Sequence, residues 1–368
     1  MRMVARAFPL GRDGGRRPVA LDSGWRRCDR GFLFRLACFV LLTSGILGAQ
    51  DSAPRFGGEV PVDVDTMYER GLGWLVEKQG ADGGWNDGQS GPGVDGICLM
   101  AFLASGEDPN FGRWATPIRK AVRKIILTQN ETTGYFPSSM YHHGFALLAL
   151  SEAYGAVDEE MLWRGTEKRG PSLATVLERA IGCATTSQKK NRWKAWRYSP
   201  DATDADTSVS GAVLMGLLGA RNAGMEVPDT SIEGAIEYFG RSTGPDGSVA
   251  YSGGLGGMGA SMNRSSIATL VVAVARQKDE KKFAATVKHI TTRLEHREGS
   301  YPEYFRYYMA QALFQSDYEA WKKWNAQTVR YLKTTQADDG SFSNSSYSTG
   351  MSLLALALNY RFLPIYER

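Results

Sequence analysis

The segments Gln79-Gly-Ala-Asp-Gly83-Gly-Trp85 and Gln336-Ala-Asp-Asp-Gly340-Ser-Phe342 share the pattern Gln-x3-Gly-x-aromatic, and this pattern decides the fold. Related segments begin at positions 129, 188, 243 and 295, so the signature occurs six times at intervals of 41 to 59 residues. Two copies are incomplete: the one from position 188 lacks the glycine, and the one from position 243 lacks both the glutamine and the aromatic residue. A long, regular period of this kind indicates a repeated supersecondary unit.

Each repeat predicts two helices of different polarity. The segments before the turns, such as 67–78 and 117–127, carry one apolar stripe, as a helix half exposed on an outer surface does. The segments after the turns, such as 97–104 and 212–219, are apolar on every side and rich in small residues, which is typical of buried helices that approach each other closely. Six such pairs predict an all-α fold, an α/α toroid with an inner and an outer ring of helices. An open solenoid is the alternative, but it would not explain this contrast.

The turn residues have a predicted structural role. A chain that leaves a helix in the left-handed conformation favours glycine, because glycine has no Cβ to clash there. The aromatic residue two positions later is expected to pack back over the joint between the two helices. The glycines to which this prediction applies are Gly83, Gly134, Gly247, Gly299 and Gly340.

The first 50 residues are predicted to lie outside this fold, and we expect the toroid domain at residues 60–365. Residues 1–49 contain nine Arg and no Lys or Glu, and an uncharged stretch at 36–47 is followed by Gly48, Ala49 and Gln50. A basic region, a short apolar region and small residues at a cleavage site are typical of a secretory signal. We therefore expect export to the periplasm or cell envelope with cleavage near Ala49 or Gln50, with a retained N-terminal anchor as the alternative.

The charge of the chain belongs largely to this N-terminal segment. Without residues 1–49, basic residues fall from 43 to 34 and acidic residues from 39 to 36, so the formal net charge changes from +4 to −2. A nearly neutral domain without a basic stripe gives no reason to expect a nucleic acid partner. A small molecule or another envelope protein remains the expected partner, and a position close to the membrane stays open.

The repeats carry a family resemblance over about residues 65–360. Gln-x3-Gly-x-Trp/Phe turns between toroidal helices resemble the prenyltransferase and squalene oxidase repeats of triterpene cyclases and protein prenyltransferase β subunits. The C-terminal segments 307–314, 321–325 and 360–366 resemble a secreted bacterial branch of that superfamily. The resemblance implies the toroid, and it directs attention to two kinds of catalytic site.

The first is the acid of triterpene cyclases, the middle Asp of an Asp-x-Asp-Asp-Thr motif. Such an acid must be protonated and shielded from water. The nearest match is the segment 201–208; aligned on Asp206 and Thr207, it has Ala205 where the resemblance requires the acid. Asp204 and Asp206 could still share a proton, because neighbouring carboxylates resist ionising together. Alternatively, they cap the following helix.

The second is the zinc site of protein prenyltransferases, which needs an Asp-x-Cys pair and a distant His. Asp95 and Cys98 have one residue too many between them, although their spacing keeps both on one helix face. His142 would complete a three-ligand set that zinc accepts. Because the spacing is imprecise and a buried Cys with a hydrogen-bonded His is the simpler explanation, we predict no cofactor and treat these three residues only as weak metal candidates.

A candidate binding site follows from the architecture. The N-termini of the inner helices of a toroid converge on one mouth of the central cavity, where their dipoles favour anions. Aromatic walls with a few polar groups suit an apolar or ring-shaped ligand, although aromatic residues at helical spacing also form ordinary core. The residues that we place at this mouth are Asp204 and Asp206 as catalytic candidates and His142, His143, Tyr304, Tyr307 and Tyr308 as ligand-binding candidates.

Three function classes compete. The first is a protein that binds an apolar, isoprenoid-like ligand or a partner in its cavity without cyclase chemistry. The second is a terpenoid cyclase-like or prenyl-transferring enzyme, and the third is an envelope polysaccharide lyase or hydrolase on an α/α barrel. The cyclase and zinc motifs are both incomplete, which favours the first class and argues against an enzyme. Fold alone does not select among the three classes.

Overall fold

The computed structural model describes residues 60–252, 259, 261–278, 282–360 and 362–366. These residues form thirteen α-helices and one 3-10 turn at Pro364–Tyr366, and their only extended pairing is an isolated bridge between Thr243 and Val249. The prediction of an all-α fold is confirmed. None of the helices in this part of the chain combines the length and apolarity that a bilayer crossing requires. The predicted secretory segment lies outside the described residues, so export and the domain boundary stay predictions.

The helices alternate between two environments. Six amphipathic helices bury one face: α1 (Val62–Lys78), α3 (Ala115–Thr128), α6 (Leu173–Lys190), α8 (Asp229–Ser242), α10 (Phe283–Thr291) and α12 (Tyr318–Thr335). Six others are buried along nearly their whole length: α2 (Pro92–Leu103), α4 (Met140–Ala153), α7 (Thr207–Asn222), α9 (Met262–Val274), α11 (Pro302–Ser316) and α13 (Ser346–Ala357). The short helix α5 (Glu159–Leu162) lies in the connection between α4 and α6.

The six buried helices form a closed ring. They pack side by side in the order α2, α4, α7, α9, α11, α13, and α13 packs in turn on α2. The outer helices meet at the same seam, where Arg70 Nη2 of α1 donates to the Ala337 carbonyl at 2.7 Å and Trp74 Nε1 donates to Asp339 Oδ2 at 3.1 Å. A solenoid would leave its first and last helices unpaired, so the fold is the predicted α/α toroid of six hairpins.

The glutamine of the repeated signature joins neighbouring outer helices. Gln129 Nε2 donates to the Gly134 carbonyl of its own turn at 3.1 Å and to the Val176 carbonyl in the first turn of α6 at 2.9 Å. Gln336 makes the same pair of bonds, and its second acceptor is Met67 of α1, so this bond also closes the ring. The other two glutamines of the signature, Gln79 and Gln188, bond in the same way.

The turn glycines are required by both conformation and space. Gly134 has φ +71°, and a Cβ there would lie 2.0 Å from the Arg179 carbonyl oxygen of the next outer helix. Gly83, Gly247 and Gly340 have the same two properties. Gly299 does not: its φ is not positive and no atom lies within 4 Å of the Cβ position, so the prediction for this glycine is wrong.

In the fifth repeat the left-handed residue is Tyr301 instead of the glycine. Tyr301 has φ 56° and directly precedes α11. Tyr301 is 66% exposed. The corresponding aromatic residues of four other repeats are buried as predicted: Trp85, Phe136, Trp196 and Phe342.

The third repeat, which lacks the glycine, gives a first stability prediction. Lys194 has φ 56°, and its carbonyl accepts from Gln188 Nε2 at 2.8 Å, so it occupies the place of the missing glycine. A left-handed residue with a Cβ costs about 1–2 kcal/mol. We expect Lys194→Gly to raise the free energy of unfolding by about 1 kcal/mol in urea denaturation, after the entropy cost of glycine. Lys189→Gly, in right-handed helix α6, should instead lower it; a loss in both variants would contradict this account.

Candidate functional site

A cavity of about 830 Å³ opens where the N-terminal ends of the inner helices meet. Its walls come from the first two turns of α2, α4, α7, α9, α11 and α13 and from the loops that precede them. A volume of this size is in the range of small-molecule sites.

The wall of the cavity has an apolar side and a charged side. Val94 and Ile97 of α2 and Phe145 of α4 line one side. The charged lining residues all lie on three other consecutive inner helices or just before them: Asp206 at α7, Arg264 at α9 and Glu298 ahead of α11. Because α2 and α4 are neighbours in the ring and α7, α9 and α11 follow one another, the two kinds of residue are separated in space.

Asp206 is the buried carboxylate of the charged side and the N-cap of α7. Its Oδ1 accepts from the backbone N–H groups of Ser208 at 2.7 Å and Val209 at 2.9 Å, the arrangement expected of an N-cap. Its Oδ2 accepts from the Tyr198 hydroxyl at 3.4 Å, and this hydroxyl lies 3.1 Å from that of Tyr251. One carboxylate oxygen therefore holds the helix, while the other faces tyrosine hydroxyls of the cavity wall.

Tyrosines form much of the wall between the two sides. The Tyr304 hydroxyl donates to the Tyr141 hydroxyl at 3.2 Å, and their rings meet edge to face with centroids 5.9 Å apart. Burial raises the pKa of both hydroxyls well above 10, and the nearby Asp206 carboxylate raises that of Tyr141 further. These hydroxyls are therefore neutral hydrogen-bonding groups at physiological pH.

The basic groups of the cavity are already engaged. Arg264 donates through Nε to the Val249 carbonyl at 3.3 Å and through Nη2 to the Gly259 carbonyl, and its guanidinium lies over the Tyr251 ring at 5.6 Å. His142 Nδ1 accepts from the Gly93 N–H at 3.1 Å. Burial lowers the pKa of His142 below 6.5, so the ring is neutral at pH 7 and carries its proton on Nε2.

Three of the residues predicted from the sequence line this cavity: Asp206, His142 and Tyr304. Asp204 does not, because its side chain is exposed and forms an ion pair with Arg197 at 2.9 Å, so it shares no proton with Asp206. Tyr307 and Tyr308 also do not line it; they are buried in the core, packed edge to face against each other.

His143 and Asp95 have structural roles instead of the predicted ligand roles. His143 Nδ1 accepts the backbone N–H of Phe136 at 3.2 Å, and Asp95 Oδ1 accepts that of Trp85 at 2.9 Å. Each is the fourth residue of its inner helix and bonds to the turn aromatic that precedes it. Ser210 and Thr349 occupy the same position and make the same bond to Trp196 and Phe342.

Burial shifts the pKa of these two residues in opposite directions. It lowers the pKa of His143 to about 4, although the bond to the Ala180 carbonyl favours the protonated ring. It raises the pKa of Asp95 to about 6, although the bond from Trp85 favours the ionised form. In both cases loss of hydration of the charged form is the largest effect.

The metal candidates do not form a site. Asp95 is bonded to the Trp85 N–H, the buried Cys98 thiol contacts the Ser346 carbonyl at 3.6 Å, and His142 lines the cavity. Within the described ranges, no three His, Cys, Asp or Glu side chains are grouped so that they could hold a metal ion. Cys98 and Cys183 are both free thiols.

Sequence reasoning missed Glu298 and the tyrosines of the loops. Tyr198 and Tyr251 lie in the loops before α7 and α9, and Glu298 directly precedes Gly299 in the turn before α11. All three line the cavity together with Tyr141. Their position in the sequence could have identified them, because the loop before each inner helix lies at the same mouth of the cavity.

No family model and no curated protein sequence matches the chain. Several solved structures resemble it. The type II terpene cyclase MstE from Scytonema has 15% sequence identity and a TM-score of 0.55, with 82% of this chain and 99% of that chain covered. The alpha-1,6-mannanase GH76A from Salegentibacter sp. HEL1_6 has 10% identity and a TM-score of 0.56, with 80% and 98% covered.

A protein from Actinoplanes has 14% identity and a TM-score of 0.53, with 80% of this chain and 98% of that chain covered. A variant of the Scytonema cyclase is seen with geranylgeranyl dihydroxybenzoate, and an inactive variant of the mannanase with alpha-1,6-mannotetrose. The structural similarity supports the α/α toroid fold. At identities this low it leaves the function of the chain open.

Proposed function

We propose that this α/α toroid binds an amphipathic organic ligand in the cavity at the inner-helix N-termini and performs no cyclase chemistry. The observation that carries the proposal is the separation of the wall into two sides. The apolar part of the ligand lies against Val94, Ile97 and Phe145, and its polar part lies near Asp206 and Glu298. An isoprenoid-like chain with a hydrogen-bonding end has this distribution of polarity.

A pure hydrocarbon fits the wall less well. It would cover the Glu298 carboxylate, which lines the cavity, without offering this group a hydrogen bond. Burying a polar group without a partner costs several kcal/mol, roughly 2–7 by transfer measurements. A ligand with a polar end avoids this cost.

The acid required by a cyclase mechanism is missing. The aligned position is Ala205, which is buried and has no ionisable group. Asp206 follows it, but Oδ1 of Asp206 accepts two backbone N–H bonds as the cap of α7, so this oxygen is engaged with the helix. We therefore assign Asp206 a binding role.

Carbohydrate binding or cleavage is the second candidate. It is favoured by one observation: Asp206 and Glu298 are two carboxylates on a wall rich in tyrosine. Paired carboxylates are the usual catalytic groups of glycosidases, and aromatic faces suit ring-shaped ligands. The apolar residues Val94, Ile97 and Phe145 have no role in carbohydrate binding, so we place this alternative second.

Calorimetric titration of the full chain with two probes separates the candidates. We expect geranylgeraniol to bind and alpha-1,6-mannotetraose to give no heat. Asp206→Asn should weaken geranylgeraniol binding by about tenfold, the worth of one charge-assisted hydrogen bond, while the melting temperature holds, because Asn caps about as well as Asp. Asp317→Asn is the matched control, since Asp317 caps α12 at the Ala320 N–H and does not line the cavity.

The opposite preference would favour the carbohydrate alternative. Failure of both probes to bind would contradict the proposal. An equal loss of geranylgeraniol affinity in Asp206→Asn and Asp317→Asn would show that helix capping, and not a contact in the cavity, explains the weaker binding.

The strained aromatic residue at the rim gives a further prediction. Tyr301 lines the cavity, is 66% exposed and is left-handed, although it precedes Pro302, which disfavours helical backbone. Strain of this kind concentrates at functional sites. We expect Tyr301→Gly to raise the free energy of unfolding by about 1 kcal/mol and to weaken geranylgeraniol binding. Tyr301→Phe, which keeps the ring, should change neither; retained binding in Tyr301→Gly would remove this ring from the site.

A further inference from the structure

We propose that the polar part of the ligand is a cation, an ammonium or guanidinium group held between Asp206, Glu298 and the tyrosine rings. This inference rests on the proposed function and specifies the chemistry of the ligand. It is carried by the charges, the acceptor oxygens and the aromatic rings of the cavity wall.

The wall carries more negative than positive charge. Its acidic side chains are Asp206 and Glu298, and its strongly basic side chain is Arg264. His142 is neutral at pH 7, because burial lowers its pKa below 6.5. The buried hydroxyls of Tyr141 and Tyr304 are neutral as well, because burial raises their pKa. A cationic ligand would balance the remaining negative charge, whereas an anionic ligand would add to it.

Arg264 is poorly placed to receive an anion. Its Nε and Nη2 already donate to the backbone carbonyls of Val249 and Gly259. Its guanidinium carbon lies 5.6 Å from the centre of the Tyr251 ring. Its remaining N–H groups lie in the field of the Asp206 and Glu298 carboxylates, which would repel an anion bound there.

Three of the helix N-termini do not attract an anion either, because acidic side chains of the protein already bond to them. Asp206 caps α7. Glu298 Oε1 accepts the Asn263 N–H at the start of α9 at 3.2 Å, and Asp87 Oδ2 accepts the Ser346 N–H at the start of α13 at 2.6 Å. The sequence-based expectation that the mouth favours anions is therefore wrong for these three helices.

The groups that remain for a ligand are acceptor oxygens and the rings of other lining tyrosines, such as Tyr301 and Tyr347. The Tyr198 and Tyr251 rings already have the guanidinium groups of Arg197 and Arg264 over them.

Asp206 Oδ2 accepts a long bond of 3.4 Å from the Tyr198 hydroxyl, and the Tyr251 hydroxyl also bonds to the Asp206 carboxylate. Asn263 lines the cavity, and its buried Oδ1 has no partner among the described residues. Glu298 Oε1 also lies 3.6 Å from His296 Nε2, and within the part of the chain that the structure describes Oε2 is the oxygen left for a ligand. An ammonium group donates to such acceptors and is attracted to the faces of tyrosine rings.

Three probes with the same dodecyl chain test the inference: dodecylammonium, dodecan-1-ol and dodecanoate. They are titrated into the full chain at low salt, below their micelle concentrations and at pH 8, where ordinary imidazoles are neutral. We expect dodecylammonium to bind at least about tenfold more tightly than the alcohol, and dodecanoate to bind more weakly than both. Asp206→Asn and Glu298→Gln should each reduce the preference for ammonium over alcohol, and Asp317→Asn should leave it unchanged.

Each other outcome has a definite consequence. If dodecan-1-ol or dodecanoate binds as tightly as dodecylammonium, the cation is wrong and the proposed binding function survives. If the ammonium preference persists in both cavity variants, these carboxylates do not recognise the head group and the inference is overturned. If no probe binds, the proposed function fails together with the inference.

Discussion

Gly134→Ala should lower the free energy of unfolding by at least about 3 kcal/mol, combining left-handed strain with overpacking. The new methyl group would lie 2.0 Å from the Arg179 carbonyl oxygen, far inside contact distance, at a φ of +71°. The turn also supplies the Gly134 carbonyl that Gln129 holds against the next outer helix. The substitution should therefore damage a joint between two repeats, which urea denaturation would measure.

Gly155→Ala is the matched control for this effect. Gly155 has φ +80°, but no atom lies within 4 Å of its Cβ position. Only the left-handed strain applies there, so we expect a loss of about 1 kcal/mol. Equal losses in the two variants would mean that the close approach of neighbouring outer helices contributes nothing to stability.

The second large effect is a pH dependence of the unfolding free energy, which is small in the unmodified chain because His143 and Asp95 contribute in opposite directions. Burial lowers the pKa of His143 from 6.5 to about 4, so between these values the unfolded chain binds a proton that the folded chain does not. Its stabilising contribution is complete above pH 6.5 and is lost as the pH falls towards 4. Burial raises the pKa of Asp95 from 3.8 to about 6, so its contribution is complete below pH 3.8 and is lost as the pH rises through 6.

We therefore expect Asp95→Asn and His143→Gln to change the slope of unfolding free energy against pH in opposite directions. Relative to the unmodified chain, Asp95→Asn should lose about 3 kcal/mol of unfolding free energy between pH 7 and pH 4, because the His143 effect is no longer offset. His143→Gln should gain a similar amount over the same range. Urea denaturation at several pH values measures both slopes, and constant penalties from the substitutions do not affect them. Parallel curves of unfolding free energy against pH for the three proteins would contradict the pKa shifts that we attribute to burial of these two groups.

The architecture could be predicted from the sequence because its signature encodes the joints. The glutamine of each complete turn bonds to its own turn and to the next outer helix, so its spacing along the chain determines the repeat. The polarity contrast between alternating helices then distinguishes an inner from an outer ring. Both features are local, and they recur often enough for a single exception such as Gly299 to leave the fold prediction intact.

The candidate site was predicted less well for a physical reason. The fourth residue of an inner helix is polar in several repeats because it accepts the N–H of the turn aromatic, as His143 does for Phe136. A buried polar side chain with a structural partner resembles a ligand in sequence, and only the folded geometry separates the two. Asp204 and Asp206 differ in the same way, since two positions along the chain separate a surface ion pair from a buried cap.

In our proposal the cavity at the inner-helix N-termini receives the apolar part of a ligand. Photo-crosslinking of the full chain with a long-chain alcohol bearing a diazirine, followed by peptide mass spectrometry, locates that part. We expect crosslinks at Val94, Ile97 and Phe145 that geranylgeraniol displaces. Crosslinks confined to exposed apolar residues such as Phe111 and Leu127, or labelling of the cavity that geranylgeraniol does not displace, would contradict it.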